Sequence, residues 1–216
     1  MSPDSKEQDL SRVDHIIYGT PDLDATIDEL EERFGIRATL GGRHLGEGTR
    51  NALYSLGLST YLEIMGPDPD QPDPDRPRWL GLDNLIEPRL IAWAANGKDL
   101  DLLTVAATKQ GIELGEVFAG GRNRPDGSVL SWRITDPRQG IAGGIVPFFI
   151  DWGETPHPSR SAVGGLQLIS FRAEHPDAER VGETLRDLGL DLPVDVGPTL
   201  ALIATLQTPQ GVVELR

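Results

Sequence analysis

With 216 residues the chain can bury a substantial core, as one large domain or two small ones. It has no cysteine, which excludes disulfides, thiolate catalysis and Cys-based metal centres and fits a reducing cytoplasm. A formal charge of −14, a polar opening segment and the lack of any long apolar run argue against nucleic acid, anionic membrane and secretion, leaving a small molecule or another protein as partner.

Residues 1–11 read as a disordered tail. Residues 13–18 form a β-branched strand, and Thr20-Pro21-Asp22 predicts a helix start with Thr20 as N-cap. Leu23, Ile27, Leu30 and Phe34 recur at helical spacing on one buried face, and Gly35 ends the helix. Strands are expected at 37–40, 51–56 and 60–65, completing a β-α-β-β-β module over 12–66. The Pro- and Asp-rich stretch that follows, within 67–88, is a stiff acidic linker because proline removes donors and holds the chain extended.

The order then repeats over 89–153. A strand at 89–94, a helix opened by Asp99-Leu100-Asp101, and strands at 113–118, 129–134 and 145–150 form a second module, with a hairpin turn at 123–127. After a linker at 154–164, a third module is expected over 165–216. The fold class is therefore α+β, built of repeated modules that must pack together because none can bury its sheet alone.

Asp14-His15, Gly41-Gly42-Arg43-His44, Gly48-Thr49 with Asn51, Tyr61-Leu62-Glu63, the run 147–152 and His157-Pro158-Ser159 together carry a resemblance over nearly all of the chain after residue 11. It resembles the glyoxalase-like domain proteins of the vicinal-oxygen-chelate superfamily. That resemblance implies modules curled into a half-open mixed sheet around a divalent metal, with the third module at the C-terminus. It implies His15 and Glu63 as metal ligands for Zn, Fe, Mn or Ni, and lyase, isomerase or dioxygenase chemistry. The second module departs from the pattern, placing Ala92 opposite His15 and Phe149 or Ile150 opposite Glu63. A third donor would have to come from His44, Asp151, His157 or Glu214.

Side chains alternate along a strand, so Tyr61 and Glu63 share one face, as do Thr49 and Asn51. Glu63 and His44 are the catalytic candidates. Thr49, Asn51, Tyr61, Trp132, Asp151 and His157 are the substrate-binding candidates, each with a plain structural alternative such as a turn, core or surface role. Arg122 and Arg124 read as a solvated turn with a lesser prospect of attracting an anion. Walker, dinucleotide, nucleophile-elbow and EF-hand patterns are missing from the sequence. Two readings stay open: a metal-assisted enzyme acting on a small polar molecule, and a non-catalytic binding protein of the same fold. An odd number of modules suggests a homodimer in which third modules pair.

Overall fold

The computed structural model describes residues 8–123 and 129–216. The first module consists of β1 (Val13–Gly19), α1 (Leu23–Phe34), β2 (Thr39–His44), β3 (Thr49–Ser55) and β4 (Tyr61–Pro67). The second consists of β5 (Arg89–Asn96), α2 (Leu100–Lys109), β6 (Val117–Asn123), β7 (Val129–Thr135) and β8 (Phe148–Asp151). Within each module the last strand runs parallel beside the first, β4 on β1 and β8 on β5. The modules join through a long antiparallel β1–β5 seam and, opposite it, through a single pairing of Arg43 with Asn123. The eight strands thus close into a barrel in the order β1-β4-β3-β2-β6-β7-β8-β5.

Every residue of β1 is buried, because both of its faces are covered. Ile16 and Tyr18 face the main apolar core with Leu23, Ile27, Leu30 and Phe34 of α1, so the helical spacing identified the buried stripe correctly. His15 and Ile17 face the barrel interior with Glu63 and Met65. The cap of α1 lies two residues later than expected. Asp22 accepts from the Ala25 N–H at 3.1 Å, while the Thr20 hydroxyl turns to Thr26 at 2.7 Å. Gly35 ends the helix at φ 76°, where a side chain would be strained.

Residues 166–216 have the element order of the barrel modules but another sheet order. They comprise β9 (Gln167–His175), α3 (Ala178–Asp187), β10 (Val194–Val196), β11 (Ala201–Thr208) and β12 (Gly211–Leu215). Their sheet runs β10-β9-β11-β12, so the last strand lies on an edge and does not pair with the first. This sheet packs on the outside of the barrel: Phe171 meets the Trp93 ring of β5 edge-on at 5.5 Å, and Leu202, Ala204 and Leu206 enter the same core. The third module therefore has an internal partner, which removes the reason for pairing it with a second chain. Gln8, expected within a free tail, exchanges two hydrogen bonds with the backbone of Phe171.

Two further corrections bear on the site. The strand expected at 113–118 is β6, displaced to Val117–Asn123, which carries Arg122 into the sheet. The expected turn at 123–127, with Arg124, lies mostly outside the described residues. The acidic linker is not free: Arg43 pairs with Asp68 and Asp70, Arg76 with Glu47, and Arg78 with Asp73 and Asp83. It folds across the barrel, and Trp79 at its end enters the interior.

Candidate functional site

The barrel interior holds a small cavity of about 40 Å³, room for a few waters, with polar groups His15, His44, Asn51, Glu63 and Arg122 on its wall. All five are at least 95% buried. Burial on this scale obliges each polar atom to find a partner, and their contacts fix the chemistry.

His15 is oriented from behind. Its Nδ1 lies 2.8 Å from Asp14 Oδ1, so Nδ1–H donates to the carboxylate and Nε2 is turned to the cavity. Neighbouring strand residues normally point to opposite faces. Here a register shift in β1 between Val13 and His15 re-aims Asp14 so that the two side chains meet. Asp14 is fully buried and also accepts from Trp152 Nε1 at 3.1 Å and His157 Nε2 at 3.3 Å. His157 Nδ1 accepts from the Ser159 N–H at 3.3 Å, which leaves the ring proton on Nε2 for that donation. Burial pushes the Asp14 carboxyl up, but the hydrogen bonds from His15 and His157 outweigh it and hold the group below its ordinary value. The Tyr61 ring stacks on His15 at 4.5 Å, and burial holds its phenol well above the ordinary range, with Glu63 and Asp14 adding to the effect.

Across the cavity, His15 Nε2 lies 3.6 Å from Glu63 Oε2. Glu63 Oε1 accepts from Asn51 Nδ2, and Asn51 Oδ1 accepts from Arg122 Nη1 at 3.0 Å. This fixes the orientation of the amide, since its nitrogen must face the carboxylate and its oxygen the guanidinium. Gly41 makes that contact possible: a Cβ there would lie 2.1 Å from Asn51 Oδ1 and 2.4 Å from Arg122 Nη1.

His44 sits at the end of β2 with Nδ1 2.9 Å from the Thr49 hydroxyl and Nε2 3.4 Å from the Asn51 amide. Burial holds its pKa below the ordinary value, so the ring is neutral at pH 7. Thr49 thus contacts His44 rather than the cavity. Asp151 accepts from the Gly153 N–H and lies in an outer groove beside Arg133, which pairs with Asp101. Trp132 lines the cavity, and His157 acts behind Asp14. Glu214 is on the other sheet, paired with Arg216.

The donor set answers the question of a divalent metal. His15 Nε2 and Glu63 face each other suitably. Of the remaining candidates, His44 comes nearest, with Nε2 3.9 Å from Glu63 Oε1, and it is turned to the Asn51 amide. Among the described residues no three His, Cys, Asp or Glu side chains form a group that would hold an ion. Catalytic ions usually take three protein ligands, so this arrangement does not fit a resident metal. The counterparts in the second module add none, because the interior faces of β5 and β8 present Ala92, Ala94, Phe148 and Ile150.

Sequence reasoning missed Asp14 as an orienting group and left Trp79 and Trp152 unassigned. It also set Arg122 in a turn. Only the run of glycines opposite Asn51 hinted that a long side chain from elsewhere needs space there.

A larger chamber of about 550 Å³ adjoins the small cavity, sharing His44, Trp79 and Trp132 as a common wall. Its size is that of an ordinary small-molecule site.

Paired β-α-β-β-β modules curled into one barrel define the vicinal-oxygen-chelate fold. The chain belongs to the glyoxalase-like domain family, whose model matches residues 13–189. A hypothetical protein from Staphylococcus aureus superposes with a TM-score of 0.57 at 14% identity, over 94% of this chain and 84% of that one. A methylmalonyl-CoA epimerase in complex with methylmalonyl-CoA and NH4+ gives 0.45 at 22% identity, over 68% and 98%. The epimerase from Mycobacterium tuberculosis gives 0.43 at 18%, over 70% and 93%. These likenesses concern the fold alone. No curated protein matches the sequence.

Proposed function

We propose that this protein binds a small molecule in the larger chamber, passes one end of it between the shared wall residues His44, Trp79 and Trp132 into the cavity of His15 and Glu63, and transfers a proton there, an isomerase-type reaction. The observation that supports it is the facing of His15 Nε2 and Glu63 Oε2 at 3.6 Å in a buried cavity, each anchored on its far side, by Asp14 and by Asn51. In this reading the Glu63 carboxylate takes a proton from a C–H beside a carbonyl, and His15 Nε2–H donates to the carbonyl oxygen as negative charge develops there. Delivery of that proton by Glu63 to a second carbon of the resulting enediolate or dienolate, as the carbonyl re-forms and His15 keeps its own proton, completes the isomerisation, and the two groups regain their starting states. Asp14 keeps His15 in the required orientation, and the Asn51–Arg122 pair keeps Glu63 aimed. Dioxygenase and metal-assisted lyase chemistry would need an ion that this donor set does not support.

The test is deuterium uptake from D2O into a panel of small carbonyl compounds with one acidic C–H, followed by proton NMR. Wild-type protein should catalyse exchange for at least one compound, and Glu63→Gln should reduce the rate by about 10²-fold or more. Saturable binding of panel members without exchange in any of them would favour the second reading, a non-catalytic binder. The tethering of Glu63 by Asn51 is the observation on that side.

A further inference from the structure

The wall between the two chambers is made by His44 on β2, Trp132 on β7 and Trp79. Trp79 differs from the other two in coming from the strap that links the modules. That strap lies on the surface: Asp75, Arg76 and Pro77 before the indole and Gly81 after it are exposed. The indole itself goes inside, where it joins the apolar cluster of Leu130, Trp132, Ile134 and Ile150.

The inserted state carries costs that withdrawal would remove. Trp79 Nε1 and Arg138 Nε are both buried out of reach of water, and neither has a hydrogen-bond partner among the described residues. The two groups lie together, with the guanidinium carbon 5.4 Å from the indole centroid. Buried donors are nearly always bonded, and each one left unmet weighs against the state that buries it. Directly after the indole, Leu80 is left-handed at φ 57°, a conformation that a non-glycine residue holds under strain, and Gly81 follows at φ 71°. Withdrawal of the ring would give both donors to water and let this turn relax. Burial of the apolar ring opposes it.

The contacts that hold the strap beside the indole come from the turn between β2 and β3. Glu47 takes Arg76 of the strap on one carboxylate oxygen and Arg138 of the second module on the other, at 2.7 Å. Gly48 O accepts from Arg78 Nε at 3.0 Å. The ion pairs of Arg78 with Asp73 and Asp83 lie within the strap and would travel with it. Its two ends have anchors of their own, Asp68 on Arg43 at one and the buried Leu82 and Leu85 at the other.

We propose that Trp79 is a movable plug. It closes the passage from the larger chamber to His15 and Glu63, swings out about Leu80 and Gly81 to admit a ligand, and is latched shut by Glu47. This rests on the reading of the small cavity as the reaction site and adds how that site is reached. The isomerase reading fails on deuterium uptake into carbon compounds, whereas this one fails on hydrogen exchange in the protein alone, so the two are separable.

The test follows exchange of the indole N–H groups into D2O by NMR of 15N-tryptophan-labelled protein, with signals assigned by single Trp→Phe replacements. Trp93 is the internal control. Its Nε1–H donates to Ile145 O at 2.8 Å within the main core, so it exchanges when the fold as a whole opens. Trp79 should exchange at least about 10²-fold faster than Trp93, through local opening. Glu47→Gln removes the charge and keeps the shape. It should speed Trp79 about five- to tenfold more than it speeds Trp93, the range for one weakened charge-assisted contact. Arg76→Gln, on the exposed side of the same ion pair, supplies the comparison if Glu47→Gln does not fold. Equal exchange of Trp79 and Trp93 in the wild type overturns the proposal, since the ring then leaves only on unfolding. Equal acceleration of both signals in a folded latch variant, or an unchanged Trp79 rate, overturns it as well.

Discussion

Replacing Asp14 by Asn tests the physical reasoning behind the site without requiring a substrate. The substitution is nearly isosteric and changes only charge and hydrogen-bonding capacity. In the wild type the two carboxylate oxygens accept from His15 Nδ1 at 2.8 Å, Trp152 Nε1 at 3.1 Å and His157 Nε2 at 3.3 Å. An amide offers one acceptor oxygen, and its NH2 must then confront a donor. If the oxygen stays with His15, the NH2 meets His157 Nε2–H. That ring cannot easily switch tautomer, because its Nδ1 already accepts from Ser159. One charge-assisted bond is lost, another is weakened and a buried donor is left unmatched, for a total cost of about 3 kcal/mol. With a urea m-value of about 2 kcal/mol/M, the midpoint should fall by roughly 1.5 M.

The pH dependence supplies a second check. Asp14 has its folded pKa below the unfolded value, so its contribution is present above about pH 4 and is lost as the pH falls through the folded pKa. The gap between wild type and Asp14→Asn should therefore be widest near pH 7 and narrow only below about pH 4. A gap under about 1 kcal/mol at pH 7, or one unchanged on acidification through that range, would refute the account of Asp14 as a charged anchor.

Three other outcomes follow from the same geometry. The buried His44 has its pKa lowered, so stability should fall as the pH drops below about 6.5, and His44→Gln should remove that part of the acid sensitivity in thermal scans. Gly41→Ala would drive a methyl group into the Asn51–Arg122 contact; about 1–3 kcal/mol should be lost in urea melts, along with proton exchange. Phe171→Ala would open a cavity between the second sheet and the barrel, and should cost about 3–5 kcal/mol by chemical denaturation.

Much of the architecture is legible in the sequence because it rests on local periodicity. The buried stripe of α1, the left-handed stop at Gly35, the alternation that puts Tyr61 beside Glu63 and separates Trp132 from Arg133, and the repeated element order all follow from spacing that short-range geometry enforces. The pairing of His15 with Glu63 was reachable through the resemblance, since both lie on adjacent strands of one module.

Tertiary structure decided the rest, because the groups concerned come from distant segments or break the local rule. Alternation alone would put Asp14 and His15 on opposite faces, and only the irregularity in β1 brings them together. Arg122 reaches Asn51 across 71 residues of sequence, and His157 reaches Asp14 across 143. The order β10-β9-β11-β12 reflects how the last sheet covers Trp93, a packing choice that element order does not encode. The sequence by itself thus determined the modules and one half of a polar site. How that half is anchored, and which wall stands between it and the larger chamber, depended on long-range closure of the barrel.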